Sequence, residues 1–300
     1  MGARTELFAR RQPGGGLVVA DESRTTGEIF FVSSGAGTDG ASLGKTPDAP
    51  LATIDYAIGL CTAGRGDRIY VMPGHVETVT GAAGVALDVA GVAVIGIGEG
   101  HNRPKIHFTT AAAASFDVSA ANCRIENLWF NSAIDDQTAL LNVTAADVTV
   151  RRCEFMLGDG SVDAECGILA SAAADRLLVE NCRLNSTSST AITNGAISCG
   201  ATDDTTIRNC EISGYFGTAG NVVNTAAAAN FNVLGCVLVN RSADGNNKNV
   251  VLHASTVGMI AGNSLAIIDS TGPAPLTAAA AFVAGNYSVG AVGVAASTLI

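Results

Sequence analysis

Five carboxylates in neighbouring stretches have the most chemistry to offer. Asp135 and Asp136 follow one apolar run, and Asp159, Asp163 and Glu165 follow the next. If adjacent turns of a coil bring two of them to ~5 Å, they stand at the separation a retaining glycosidase uses. Several such oxygens would equally suit Ca²⁺. The plainer alternative is solvated turns, since Asp and Glu number 27 against 17 Lys and Arg, for a net charge of −10. A sugar-binding groove usually offers stacking rings, yet the only tryptophan is Trp129, with Tyr215 and Phe216 in a turn two repeats later. No residue is therefore assigned a catalytic role outright, and the five carboxylates are the set an enzyme would use. No cofactor and no bound metal is expected.

Other reactive types are placed less suggestively. The closest cysteine pair, Cys199 and Cys210, is eleven apart, so the C-x-x-C spacing of a zinc site is missing. Free buried thiols acting as small hydrophobes explain the cysteines better. His75, His101, His107 and His253 are scattered without metal-ligand spacing. Gly35-x-Gly37-x-x-Gly40 follows a strand-like run but no helix follows it directly, as a dinucleotide loop requires. Gly44-Lys45-Thr46 imitates the end of a Walker A loop, but Asp39 replaces the required glycine, and Pro47 and Pro50 block the helix that would meet a phosphate. Net acidity, with no basic cluster larger than Arg10-Arg11 or Arg151-Arg152, argues against a nucleic-acid partner.

The elements that must carry these residues are written as a repeat. Val148-x-Val150-x-x-Cys153-x-Phe155 recurs as Leu177-x-Val179-x-x-Cys182-x-Leu184, Thr205-x-Ile207-x-x-Cys210-x-Ile212 and Phe231-x-Val233-x-x-Cys236-x-Leu238, with cysteines 29, 28 and 26 residues apart. That period indicates stacked repeats. Apolar alternation on both sides reads as two short strands. Between them lies a two-residue corner whose second residue is Asn127, Arg152, Asn181, Asn209, Gly235, Gly262 or Gly285. Asn and Gly enter the left-handed region at least cost, so a sharp bend is expected at one azimuth of a coil. Weaker copies extend the phrase to Cys123…Phe130, Val92…Ile97, Gly258…Leu265 and Ala281…Ser288. A third strand precedes each phrase by about a dozen residues: Leu140–Val143, Ile168–Ala170, Ile197–Cys199, Val222–Val223 and Val250–Leu252. About eight coils at ~4.8 Å give a rod of roughly 40 Å, a parallel β-helix.

One solenoid can occupy residues 29–300. Residues 1–28, with Gly14-Gly15-Gly16, read as an extended arm. Ile54, Ala57, Ile58 and Cys61 fall on one face of a helix expected over Leu51–Ala63, placed to cap the first coil. Met1–Arg11 lacks the apolar core of an export signal. The tail from Thr271 carries no charge, but Pro273, Pro275 and Asn286 interrupt it, and no membrane span is expected.

The run Phe31-Val32-Ser33, Gly44-Lys45-x-Pro47, Ala52-Thr53-Ile54-x-x-Ala57 and Gly66-Asp67-x-Ile69-x-Val71-x-Pro73-Gly74 resembles the N-terminal cap of pectate-lyase-like right-handed β-helix proteins, above all those of tailed bacteriophages. The resemblance spans roughly residues 29–290 and implies right-handed winding and a homotrimer. It transfers no catalytic residue, because no lyase or glycosidase motif is intact. The expectation is a phage virion protein that decorates or cements a capsid, assembled in the host cytoplasm. The alternative is a tailspike-like protein that binds or cleaves a glycan. Between Asn249 and Ile300 the only charged side chain is Asp269, so the last coils are expected to be covered by copies of the same chain. Arg4, Arg10 and Arg11 are the candidate contacts of the arm with the major capsid protein of an acidic shell.

Overall fold

In the computed structural model, the described residues are 25, 27–159, 162–188, 192–217, 219–242, 247–267, 276–277 and 280–289, with short strands at Phe8–Arg10, Leu17–Val19 and Thr298–Leu299. The repeat folds as expected, into an all-β parallel solenoid. A typical coil contributes one strand to each of three sheets. The first sheet has ten strands, running from Ile29–Val32 to Phe282–Ala284. The second begins at Val76–Val79 and reaches Tyr287–Val289, which pairs antiparallel with Thr298–Leu299. The third has eight strands, from Val85–Leu87 to Leu276–Thr277.

Like residues stack on like. Ile125, Val150, Val179, Ile207, Val233 and Ile260 stand in register along the interior of the first sheet. Ile106, Phe130, Phe155, Leu184, Ile212 and Leu238 do so in the second. A strand in this stack is paired on both edges, so every side chain faces either the interior column or solvent, with no slack for slippage. Phe130 lies stacked on Phe155 at 4.6 Å and edge-on to Phe116 at 5.8 Å, the offset and T-shaped geometries that ring quadrupoles favour.

The corner column is left-handed throughout. Asn127, Arg152, Asn181, Asn209, Gly235, Gly262 and Gly285 have φ between +52° and +65°. Arg152 holds that conformation despite its Cβ, and its guanidinium pairs with Glu126. A second left-handed column, at the other end of the first sheet, comprises Gly64, Gly91, Asn122, Asp147, Arg176, Asp204 and Asn230. Beside the first column Cys153, Cys182, Cys210 and Cys236 form the inward ladder, all unpaired thiols, buried, with each Sγ donating to backbone carbonyls. Burial pushes the thiols of Cys166 and Cys199 up to about 12, which suits inert packing groups.

Two boundaries differ from expectation. The helix is Ile54–Gly59, shorter than Leu51–Ala63. The Asp39 carboxylate accepts from the amides of Ala52 and Thr53, and the Thr53 hydroxyl caps Tyr56, so the helix cannot begin earlier. At its other end Leu60 and Cys61 tighten onto carbonyls three residues back. Ile54, Ala57 and Ile58 still seal the first coil. The earliest phrase also fails at Ile97, which is 38% exposed. A 3-10 turn at Gly100–Asn102 lengthens that corner, and Ile97 is left outside the interior column.

Candidate functional site

The cap buries polar groups that alternation alone did not announce. Glu77 occupies the interior position in register with Ile106. Its Oε2 accepts from the Ile54 amide at 3.0 Å and lies 2.9 Å from His75 Nε2. The Ser34 amide donates to His75 Nδ1 at 2.9 Å, which leaves the ring proton on Nε2, directed at the carboxylate. Asp67, fully buried, accepts from the amides of Glu28 and Thr62 and takes a two-pronged Arg65 guanidinium at 2.7 and 2.8 Å. Every one of these groups has its partners, so the cap is a fastening.

The carboxylates behave differently. Asp135 and Asp136 sit in the turn after the second-sheet strand Trp129–Ser132, with Asp136 left-handed at φ +54°. One coil on, Glu154–Asp159 continues past the sheet and folds back through Val162–Asp163, pairing Gly158 with Asp163 and Asp159 with Val162. Only glycine permits so close an approach of the two arms, because a Cβ at Gly158 would lie 2.0 Å from the Val162 carbonyl. The hairpin carries Asp163 over the preceding turn. Carboxylate oxygens of Asp135, Asp136 and Asp163 then lie within 4.8 Å of one another. Asp163 is only 7% exposed. Burial, then its hydrogen bond and charge repulsion with Asp135, raise its carboxyl to about 6.

Three of the five expected carboxylates therefore meet. Asp159 lies on the exposed outer edge of the hairpin, and Glu165 accepts from the Asn194 amide of the next coil at 3.1 Å. Neither joins the group. Among the described residues this triad is the only cluster of His, Cys, Asp and Glu close enough to share a cation. Two aromatic rings expected to serve a sugar groove are engaged elsewhere. Lys105 covers the Trp129 ring at 4.1 Å, and Phe216 is fully buried in the core instead of lying on a turn surface. Arg4 and Arg11 lie outside the described residues, and Arg10 ends the strand Phe8–Arg10, which pairs antiparallel with Leu17–Val19.

The outer faces carry the other conspicuous pattern. On the first sheet Glu126, Arg151, Glu180 and Arg208 stand in one outward column. Arg151 reaches Glu126 at 2.7 Å and Arg208 reaches Glu180 at 2.6 Å. That column then continues as Leu234 and Ala261. On the second sheet Glu154, Arg183 and Glu211 give way in register to Val237, Ser264 and Tyr287. Val237 is 46% exposed, Met259 41%, Tyr287 53% and Phe282 65%. Val237, Val239, Leu265 and Tyr287 line a shallow hollow of about 170 Å³ on this face. The change occurs at one coil on both sheets.

No protein-family profile matches the chain, and no curated protein does. Its fold is similar to that of solved β-helix structures. A rhamnogalacturonan lyase is 10% identical, with 87% of each chain covered and a TM-score of 0.47. Pectate lyase Pel9A is 12% identical, covering 90% of this chain and 77% of its own, with a TM-score of 0.46. A pectin methylesterase solved with a hexasaccharide is 14% identical, covering 83% and 68%, with a TM-score of 0.44. Nothing of their chemistry transfers at this distance. Among the described residues no helix is long and apolar enough to cross a membrane.

Proposed function

We propose that this chain is a structural rod that assembles with copies of itself through its C-terminal coils, as a trimeric decoration or cement protein of a phage capsid does. The observation that carries self-assembly is the joint loss of charge on two sheet faces, where Val237, Met259, Phe282 and Tyr287 stand exposed. Contiguous exposed apolar surface of this kind is a mark of protein contact. The threefold arrangement and the virion setting rest on the resemblance of the cap, and Arg4, Arg10 and Arg11 are the residues we assign to the shell. Sedimentation velocity at micromolar concentration tests the assembly. A single species of oligomer mass is expected, and Met259→Lys with Tyr287→Lys should weaken it by roughly a hundredfold, the order expected when hot-spot side chains are lost. A stable monomer in the unsubstituted protein overturns the reading.

One observation favours a second reading, glycan cleavage. Asp163, still partly protonated at pH 6, stands beside two further carboxyl groups, as an acid must stand beside a nucleophile or base. Asp163 would protonate the leaving glycosidic oxygen while Asp135 or Asp136 attacked the anomeric carbon or took a proton from water. Release of reducing ends from a host polysaccharide, abolished in Asp163→Asn with the fold intact, would establish it.

A further inference from the structure

The first sheet is disciplined about charge everywhere except near the cap. Its outward columns pair Glu126 with Arg151 and Glu180 with Arg208. Two rungs earlier the pairing fails. Arg68, Ala93 and Arg124 stand in register in the neighbouring outward column. The two arginines are thus about 10 Å apart along the stack, at the usual strand spacing. The rung between them supplies a single methyl group. The result is a notch of about 250 Å³, walled by Arg68 and Arg124, floored by Ala93, and flanked by Gly66, Gly91 and Asn122.

We propose that this notch is an oxyanion site, shaped for a tetrahedral dianion such as phosphate or sulfate, free or as an ester. Among the described residues the Arg68 guanidinium makes no ion pair. Among the described residues the one carboxylate within ion-pair distance of Arg124 is Glu126, 3% exposed, and it is already engaged. Arg151 holds it through Nε at 2.8 Å and Nη2 at 2.7 Å, and Arg152 holds its other oxygen. Arg124 Nε stands 3.5 Å from it, buried, without a hydrogen-bond acceptor. Three guanidiniums therefore share one carboxylate, with Arg68 uncompensated beside them, in a chain whose net charge is −10.

The chemistry of the walls names the ligand class. Guanidinium forks match phosphate and sulfate geometry in two-pronged contacts and stay charged when partly desolvated. Arg124 is held below the usual guanidinium range first by burial, then by the like charges of Arg151, Arg68 and Arg152, so the local field is positive. An anion would relieve that repulsion. Gly66 and Gly91 keep part of the rim open, Thr25 and Val92 complete the lining, and the Asn122 amide adds a neutral donor beside Arg124. This site is independent of the C-terminal assembly face and of the Asp163 cluster, so either can fail without affecting it.

Titration of the full chain with inorganic phosphate and with sulfate, in constant chloride, tests the site by calorimetry. Saturable binding at or below about 10 mM is expected. Arg68→Gln and Arg124→Gln should each weaken it roughly tenfold or more, the scale of one charge-assisted contact. Ala93→Leu, which fills the notch while keeping both charges, should abolish it with the melting temperature retained. Glu126→Gln should tighten it, which a merely structural arginine pair would not do. Equal affinity for sulfate and a sulfated monosaccharide would place recognition on the oxyanion, whereas tighter binding of the sugar ester would extend the site to the ring. Absence of saturation in this range, or binding indifferent to Arg68→Gln and Arg124→Gln, overturns the proposal.

Discussion

The coils from Arg124 to Gly214 and those from Phe231 to Val289 follow one backbone path and fill it in opposite ways. In the first region the stacked interior columns of the first two sheets are apolar and their outward columns are charged. Phe130, Phe155, Leu184 and the cysteine ladder lie inside, while Glu126, Arg151, Glu180 and Arg208 pair outside. In the second, Asn263 and Asn286 replace cysteine on the ladder, and Asn240 and Asn249 are buried as well. Asn263 accepts from the Cys236 amide at 2.8 Å and donates to the Val233 carbonyl at 2.9 Å. Asn286 repeats the arrangement one rung on, accepting from Asn263 and donating to Ile260. Its outward strand columns carry no charge. Parallel stacking permits either solution, because it satisfies the strands whatever the side chains are. What it does not supply is a reason for exposed Met259, Phe282 and Tyr287, and the proposed self-assembly would supply one.

If the first region is held by apolar burial, its largest effect comes from the aromatic stack. Phe130→Ala removes a ring held between Phe116 and Phe155 and should cost about 3–5 kcal/mol. The fall in denaturant midpoint reads this directly. A loss below about 1 kcal/mol would mean that the interior closes around the gap, contrary to close packing.

The second region should respond to lost hydrogen bonds instead. Asn263→Ala strands the Cys236 amide and the Val233 carbonyl, both buried, at a cost of about 2–3 kcal/mol. Asn263→Cys sharpens the contrast, since it continues the ladder of the first region. Its thiol can return a weak bond to the Val233 carbonyl, as Cys236 does to Ile207, but cannot accept from Cys236. The cysteine variant should therefore fall between Ala and the parent. Parent-like stability would show that the ladder wants only volume at this rung.

The rod was legible because stacking repeats its demands. A bend needed once per coil puts Asn or Gly at one position in six coils of seven, and the seventh, Arg152, was found by its place in the column. The second left-handed column escaped notice because Asp147, Arg176 and Asp204 interrupt its glycines and asparagines. The site was legible only in part. Adjacent coils do bring Asp135 and Asp136 to Asp163, but that depends on a hairpin whose arms meet closely at Gly158, which no periodicity encodes. The same reversal leaves Asp159 on its outer edge. The Arg68–Arg124 notch was invisible for another reason: it follows from register across an intervening alanine, between residues 56 positions apart in the sequence.

The smallest expected effect separates the two regions by titration. Free of the fold, the Asp163 carboxyl loses its proton near 3.8, whereas in the fold it holds it to about 6. Across that window the folded state binds more protons, so stability falls as pH rises and the loss is complete above about 6. Asp163→Asn cannot ionise and should gain about 1 kcal/mol at pH 8, after allowance for solvent screening, with no gain at pH 3.5. Hydrogen exchange then locates the effect. Protection on the rungs around Trp129–Ser132 and Glu154–Asp159 should improve at pH 8, while Gly258–Ala261 and Ser264–Ile267, in a stretch whose one charged side chain is Asp269, should not respond. Equal gains at both pH values would mean that Asp163 is ionised throughout and that the triad is ordinary solvated turn. A response that spreads to the C-terminal rungs would mean that the two regions open as one unit, so that their different fillings serve one cooperative stack.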